Sequence, residues 1–318
     1  MLNKKNILFV VHRYYPYPGG SEVYTQNMAE EMVNRGHEVT VLTGQHKCDR
    51  FEHNGVRVAT DIQDALNRKW DLIIVHGGDV NVQNIVHLNS YSIKSPICYM
   101  LIKPSDSEVC VHGMKHANYL ACSTSMDIEH CKKYGLENKI RRVRHGIPAI
   151  VINKNGHYGN YVSAGGFYPH KAMTELAAAW NASDIPEELH LYGYGMLENA
   201  PPESDRVKVF KDRPIEDIHG AIATSNGYIM NSFEEGFGLV LLESMLFKTP
   251  WYARNIAGAK DMSRYGTVYE TEEELLTKIG KPECDVGVAY AYAVANHTIS
   301  STVNDLEDIL LEQEKLNW

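Results

Sequence analysis

The chain has 318 residues, 44% of them apolar and 22% charged, a globular balance long enough for two domains of ordinary size. No apolar run approaches the roughly 20 residues that cross a bilayer, which excludes a polytopic membrane protein. The formal net charge of −9 is uneven: residues 1–154 carry 19 Lys+Arg against 15 Asp+Glu, and the remainder carries 12 against 25. Either two solvated surfaces differ in charge, or the first half meets an anionic partner such as a lipid surface, a phosphorylated glycan or nucleic acid. Cys48, Cys98, Cys110, Cys122, Cys131 and Cys284 form no C-x-x-C pair and read as reduced thiols. Residues 1–5 run straight into a strand-like 7–11 with no signal-peptide pattern, so a cytoplasmic location is expected, with peripheral membrane association left open.

In chain order, 7–11 is a buried strand and Tyr14 to Gly20 a loop that cannot be helical. Ser21 is expected to cap a helix over 22–35, with Val23, Met28 and Met32 on its apolar side and Gly36 as its stop. A second strand over 37–43 completes a parallel crossover unit, which places Gly19 and Gly20 at the carboxyl end of the first strand, where open α/β sheets bind ligands. Pro18-Gly19-Gly20-Ser21 lacks the G-x-G-x-x-G spacing, which disfavours a simple nicotinamide dehydrogenase. Strands follow at 56–59, 71–75, 97–102 and 119–122, with helices over 61–68 and from 123, capped by Ser123, to about 134. The 71–75 strand ends at His76-Gly77-Gly78-Asp79, a strand-end histidine position that favours a site. Residues 153–156 have linker composition.

A second series of strands and helices begins at 161. Its strands are read at 161–163, 189–192, 207–210, 227–230, 251–253 and 268–269, with helices around Leu176 to Trp180, over 215–223, 239–247 and 272–279, and a helical tail over 289–316. The expected domains are 1–152, 153–290 and a tail, 291–318, that can pack back on the first.

The most informative stretch is Asn231 to Glu243, which sets Glu235 and Glu243 on either side of Gly236-Phe237-Gly238. A buried strand, a glycine turn and a helix start present backbone N–H groups that suit a phosphate. The two carboxylates are placed to accept from sugar or ribose hydroxyls; the plainer reading is a loop acid and a solvated helix acid. Lys132, Lys133, Lys139, Arg141, Arg142 and Arg144 lie close in sequence, either as a solvated helix and strand edge or as a surface that steers an anionic lipid surface or DNA. Cys110, His112 and His116 include an i, i+4 histidine pair, but Gly113 lies between the histidines and no fourth ligand is evident, so no metal site is expected.

With both halves read, the chain resembles the retaining glycosyltransferases of family 4. Their GT-B architecture is α/β, two Rossmann-like domains with parallel sheets facing across a cleft. Ser232 to Glu243 is similar to the family's Glu-x7-Glu segment; Pro250, the Asn255-Ile256-Ala257-Gly258 loop, Gly19-Gly20, Arg35 to Val39, and Gly165 with Lys171 follow in the family's order. The resemblance implies a sugar transfer from a nucleotide diphosphate-sugar to an acceptor hydroxyl on a glycan, lipid or other anionic acceptor, with retention and no metal. Glu235 would bind donor-sugar hydroxyls, Glu243 the ribose, and Lys171 the leaving diphosphate. Gly19, Gly20, Gly165, Gly166, Phe237, Gly238 and Leu239 would supply backbone approach and amides. His76 is a reserve catalytic candidate. Two departures stand out: family members usually carry Arg where this chain has Gly166, for which Arg254, His170 or Arg13 are candidate substitutes, and a family histidine is replaced around Lys103. Lys248 stands where glycine is common. A DNA-modifying transferase, a nucleotide-sugar epimerase and a non-catalytic binding module remain as alternatives.

Overall fold

The structure is a computed structural model that describes residues 3–17, 19–45, 51–63, 68–76, 95–103, 105–150 and 159–316. Pro18, Cys48, Gly77-Gly78-Asp79, Pro104, the centre of the expected 61–68 helix and the expected linker at 153–156 lie outside those residues. Two compact units emerge: residues 1–148 with 297–318, and residues 149–296.

The first unit holds strands β1 (Asn6–Arg13), β2 (Glu38–Gln45), β3 (Glu52–His53), β4 (Val56–Ala59), β5 (Leu72–His76), β6 (Ile97–Met100), β7 (Tyr119–Cys122) and β8 (Ile140–Arg142). Its helices are α1 (Gly20–Asn34), α2 (Glu108–His116), α3 (Ser125–Lys133) and, from the far end of the chain, α10 (Ile299–Leu316). The sheet order is β3-β4-β2-β1-β5-β6-β7-β8. Every pairing is parallel except β3–β4, a hairpin whose Asn54 and Gly55 both have positive φ, 49° and 77°. Asn-Gly is the preferred pair for such a two-residue turn. The central strands are buried on both faces, which is why they read as continuous apolar runs rather than alternating ones.

Two expected helix caps are corrected. Gly19, not Ser21, occupies the N-cap of α1; Ser21 lies inside the first turn and its Oγ donates to Glu22 Oε2 at 2.6 Å. On the same helix Met28 and Met32 are fully buried, whereas Val23 is 43% exposed. Helix α3 is capped by Thr124 in a reciprocal box: Asp127 N donates to Thr124 Oγ1 at 3.1 Å, and Thr124 N donates to Asp127 Oδ2 at 2.8 Å. Ser123 adds its own N–H and hydroxyl to the same carboxylate oxygen, at 3.0 and 3.2 Å. Because the box satisfies donors that the helix cannot, Thr124→Ala is expected to cost about 1 kcal/mol, read as a lower denaturant midpoint at unchanged slope.

The tail does not continue as one helix. Helix α9 (Val286–Asn296) ends before His297, and Ile147 bridges Thr298 in parallel fashion. Gly146 permits this approach, since a Cβ there would lie 2.0 Å from the Thr298 carbonyl oxygen. Beyond the bridge, α10 buries Val303, Leu306, Ile309 and Leu310 in the first unit.

Helix α10 also cancels the positive surplus of the first unit. Arg35 and His37 meet Glu307 at 2.7 and 3.0 Å, Arg144 meets Asp305 at 2.6 Å, and Arg141 pairs with Glu312. Lys132 and Lys133 pair with Glu129 and Asp106, at 2.9 and 2.7 Å, and Lys139 donates to two main-chain carbonyls. With 297–318 included, the first unit has 19 Lys+Arg against 20 Asp+Glu, so the basic stretch near 132–144 is mostly matched within its own unit.

The second unit contains β9 (Tyr161–Gly166), α4 (Met173–Ala182), β10 (Leu189–Tyr194), β11 (Val207–Lys211), α5 (Ile215–Thr224), β12 (Gly227–Met230), α6 (Leu239–Leu246), β13 (Trp251–Arg254), α7 (Ala257–Asp261), β14 (Thr267–Tyr269), α8 (Glu272–Lys278) and α9. Its sheet is wholly parallel, in the order β11-β10-β9-β12-β13-β14. Tyr161, Trp180, Leu189, Ile229 and Tyr252 form its core, the rings of Tyr161 and Trp180 lying 5.3 Å apart. No described helix of either unit is long and apolar enough to cross a membrane.

Candidate functional site

In the second unit the chain runs outward from β9 through β10 to β11, then returns to the other side of β9 as β12. The crevice beyond the carboxyl ends of β9 and β12 is therefore the topological switch point, where open α/β sheets hold ligands. Lys171 follows β9 and Glu235 follows β12, so two positions 64 residues apart in the chain reach one place.

The loop after β9 is short and stiff. Pro169 opens a 3-10 turn, Pro169–Lys171, and Ala172 ends it in the left-handed conformation at φ 49°. The stem of Lys171 lies against Gly165, 3.7 Å from where a Cβ would stand. The loop after β12 is fastened to this turn: Phe233 N donates to the His170 carbonyl at 2.8 Å, and Asn231 Nδ2 to the Ala172 carbonyl at 2.9 Å. The Lys171 ammonium then forms an ion pair with Glu235 Oε1, which also accepts from Ser232 Oγ at 2.8 Å. Both charged side chains are mostly covered, at 21% and 16% exposure, so their attraction is less screened than at a surface.

Gly238 opens α6 with φ 87° and ψ 61°, a left-handed geometry that a side chain at this position would strain. Phe237 is buried, and Gly258 at the start of α7 lies so close that a Cβ would be 2.2 Å from the Phe237 carbonyl oxygen. Leu239 is the first residue of α6. Glu243 lies about one turn further, with Oε2 3.5 Å from His219 Nε2 on α5. Burial, and then Glu235 and Glu243 together, raise the pKa of the Tyr228 phenol, which donates to the Ala164 carbonyl at 3.1 Å. Both carboxylates thus act on one buried ring on β12.

Of the three candidate substitutes for a cation at 166, Arg254 and Arg13 are already committed. Arg254 donates to the carbonyls of Asn231 and Glu270 at 2.9 and 2.6 Å, pairs with Glu272, and lies 4.6 Å from the Phe233 ring centre. Burial alone would raise the Glu272 carboxyl pKa, but hydrogen bonds from Asn231 and Arg254 hold it below its ordinary value. Arg254 therefore braces the loops after β12, β13 and β14. Arg13 Nε lies 3.1 Å from Glu22 Oε1. His170 is exposed, its ring parallel to that of Tyr168. Lys103 and Lys248 are exposed, Lys248 resting 4.6 Å from the Tyr290 ring centre.

The first unit has its own switch point between β1 and β5. Gly19 and Gly20 stand at the start of α1 there, but with different surroundings. A Cβ at Gly19 would lie 2.1 Å from Glu22 Oε2, whereas Gly20 has open space. His76, at the end of β5, is 2% exposed, and its Nδ1 lies 3.1 Å from Thr25 Oγ1. Burial, reinforced by His145, lowers its pKa to about 3, so it is a neutral imidazole at pH 7.

Glu22, Ser232, His219 and Tyr168 were not singled out from the sequence. Ser232 and Glu235 share a readable i, i+3 spacing, and Glu22 follows the glycine pair; His219 carried no local signal. Among the described residues no group of three or more His, Cys, Asp or Glu side chains is arranged to hold a metal ion. Cys110 is buried against the Tyr99 hydroxyl, while the His112 and His116 rings lie 4.0 Å apart with His116 Nδ1 2.8 Å from the His112 carbonyl oxygen.

Residues 159–284, most of the second unit, match the family described as glycosyl transferases group 1. An uncharacterized 42.6 kDa protein from the cps region of Klebsiella pneumoniae is 45% identical over 56 residues, 17% of this chain and 15% of that protein. The glycosyltransferase 1 domain-containing protein 1 of Xenopus tropicalis is 27% identical over 170 residues, 47% of this chain and 49% of that one. The matches therefore span about half, or less, of these relatives' own lengths. The crystal structure of Anabaena HepE in complex with UDP and glucose superposes with a TM-score of 0.78 at 16% identity, covering 97% of this chain and all of HepE. At that identity the likeness is one of fold, two parallel-sheet Rossmann-like domains of the GT-B kind.

Proposed function

We propose that the chain transfers a sugar from a nucleotide diphosphate-sugar to an acceptor hydroxyl with retention at the anomeric carbon, and that the switch point of the second unit holds the donor. The observation that carries this reading is the Lys171–Glu235 pair, clamped between the ends of β9 and β12 within the group 1 domain. A cation suited to a leaving diphosphate and a carboxylate suited to sugar hydroxyls stand side by side, each neutralising the other until a donor separates them. Glu243, beside His219, takes the ribose hydroxyls. The backbone at Gly165, Gly166, Phe237, Gly238 and Leu239 supplies close approach and helix N-terminal amides, and no metal is required. In the first unit, Gly20 is the open backbone position.

Negative charge develops on the departing diphosphate as the anomeric carbon becomes oxocarbenium-like. Lys171 and the α6 amides are fixed before that charge appears, so they stabilise it without reorganising. The UDP bound in HepE motivates testing a uracil nucleotide first. Thermal shifts with UDP, ADP, GDP and their glucose conjugates test the reading: a ligand at 100 times its Kd adds about 2.7 kcal/mol. A shift that Glu243→Ala abolishes supports the assignment. No shift with any nucleotide, or one unchanged in that variant, rejects it. Chromatography of the sugar product without acceptor separates transfer from epimerisation.

A further inference from the structure

The departure at Gly166 has a structural counterpart in Tyr168. A Cβ at Gly166 would stand 2.2 and 2.4 Å from two carbons of the Tyr168 ring. The same side chain reaches the loop after β10, where a Cβ at Gly195 would be 2.9 Å from the Tyr168 hydroxyl oxygen. Tyr168 therefore spans the carboxyl ends of β9 and β10, and both glycines are shaped to it. Next to it, Phe167 fills the space over Gly193, with ring carbons 2.1 to 2.4 Å from a Cβ position there. Tyr168 itself is half-buried, its ring parallel to that of His170 with centroids 5.8 Å apart. Its carbonyl accepts from Lys171 N at 2.9 Å, so the residue also shapes the turn that presents Lys171.

We infer that Tyr168 is a specificity-determining residue of the donor site proposed above, on which this inference rests. Its ring occupies the space through which a side chain at 166 would leave the backbone. Where the resemblance implies a guanidinium, the space holds a neutral phenol, whose hydroxyl offers one hydrogen bond to the nucleoside diphosphate. Lys171 then carries the charge recognition at the end of β9, since Arg254 is held by Glu272 and two carbonyls. A site built this way holds its diphosphate with less cationic charge and a weaker dependence on salt.

The experiment is calorimetric titration of UDP, ADP and GDP into the full chain at two salt concentrations. The proteins are wild type, Tyr168→Phe, Tyr168→Ala, Gly166→Arg and the Gly166→Arg/Tyr168→Ala double variant, with melting temperature as the folding control. Tyr168→Phe, the conservative change, is expected to weaken the preferred diphosphate about threefold to tenfold, the range for one neutral hydrogen bond. Gly166→Arg is expected to gain nothing while Tyr168 is present. In the Tyr168→Ala background it is expected to tighten binding at least tenfold and to steepen the salt dependence. Equal affinity of wild type and Tyr168→Phe overturns the inference, as does an equal arginine gain with and without Tyr168. Wild type binding none of the three diphosphates overturns the donor-site reading itself, whereas wild-type binding lost in Glu243→Ala but untouched in Tyr168→Phe overturns the inference alone.

Discussion

Replacing Lys171 with alanine is expected to lower kcat/KM for sugar transfer by about a hundredfold to a thousandfold, the usual cost of losing one preorganised group that meets developing charge. The effect should fall mainly on kcat, because the diphosphate is more negative in the transition state than in the bound donor. Glu235→Gln keeps the acceptor oxygen and most of the shape but no longer balances the ammonium. It should weaken the contact to sugar hydroxyls and tighten free diphosphate binding. The two variants are thus expected to move diphosphate affinity in opposite directions. Steady-state kinetics with titrations of the free diphosphate check this; weaker diphosphate binding in both would show that the pair serves structure rather than recognition. Melting temperatures of both variants serve as the folding control, because removing one member of a mostly covered pair leaves the other without its counter-charge.

The second large effect concerns acid stability of the first unit. His76 and His145 are buried, and burial first, with a neighbouring histidine second, lowers both pKa values to about 3. The Tyr24 ring lies between them, 5.9 Å from His76 and 4.8 Å edge-on to His145, and His297 Nδ1 lies 2.7 Å from the His145 carbonyl oxygen. In the unfolded chain each imidazole titrates near 6.5. Below that pH the unfolded state binds more protons than the folded one, so stability is full above about 6.5 and declines as pH falls towards 3. At about 1.4 kcal/mol per pKa unit, each histidine removes roughly 2 kcal/mol between pH 6.5 and pH 5. Two of them draw on a total that is typically 5–15 kcal/mol. Denaturant melts of wild type at pH 7.5 and pH 5 should show this loss, and His145→Gln should reduce the pH-dependent part, leaving the shares of His76 and of His297, whose pKa burial also lowers. An identical pH dependence in His145→Gln would rule out the buried imidazole as its source.

The architecture was legible because parallel strands buried on both faces leave unbroken apolar runs, and the glycine turns between them mark the ligand end of each sheet. Lys171 and Glu235 were assigned to one site from motifs 64 residues apart, and their side chains meet. Partners of charged groups were not legible. Nothing local to Arg254 announces that Glu272 and two carbonyls will hold it, and nothing in residues 132–144 announces that a helix near the end of the chain will answer their charge. Serine and glycine both suit an N-cap, so local residue type does not distinguish Gly19 from Ser21 as the start of α1. The space over Gly166 is likewise set by a ring two residues on folding back, which spacing alone does not encode.

The return of α10 to the first unit bears on how the protein is made. Residues 1–148 leave the ribosome first, yet the helix that buries Val303, Leu306, Ile309 and Leu310 and answers Arg35, Arg141 and Arg144 is synthesised after the whole of residues 149–296. The second unit is an insertion that can close on its own contacts while the first waits with an apolar face uncovered. The part begun first is therefore completed last, and in that interval it is the part most exposed to chaperones and proteases.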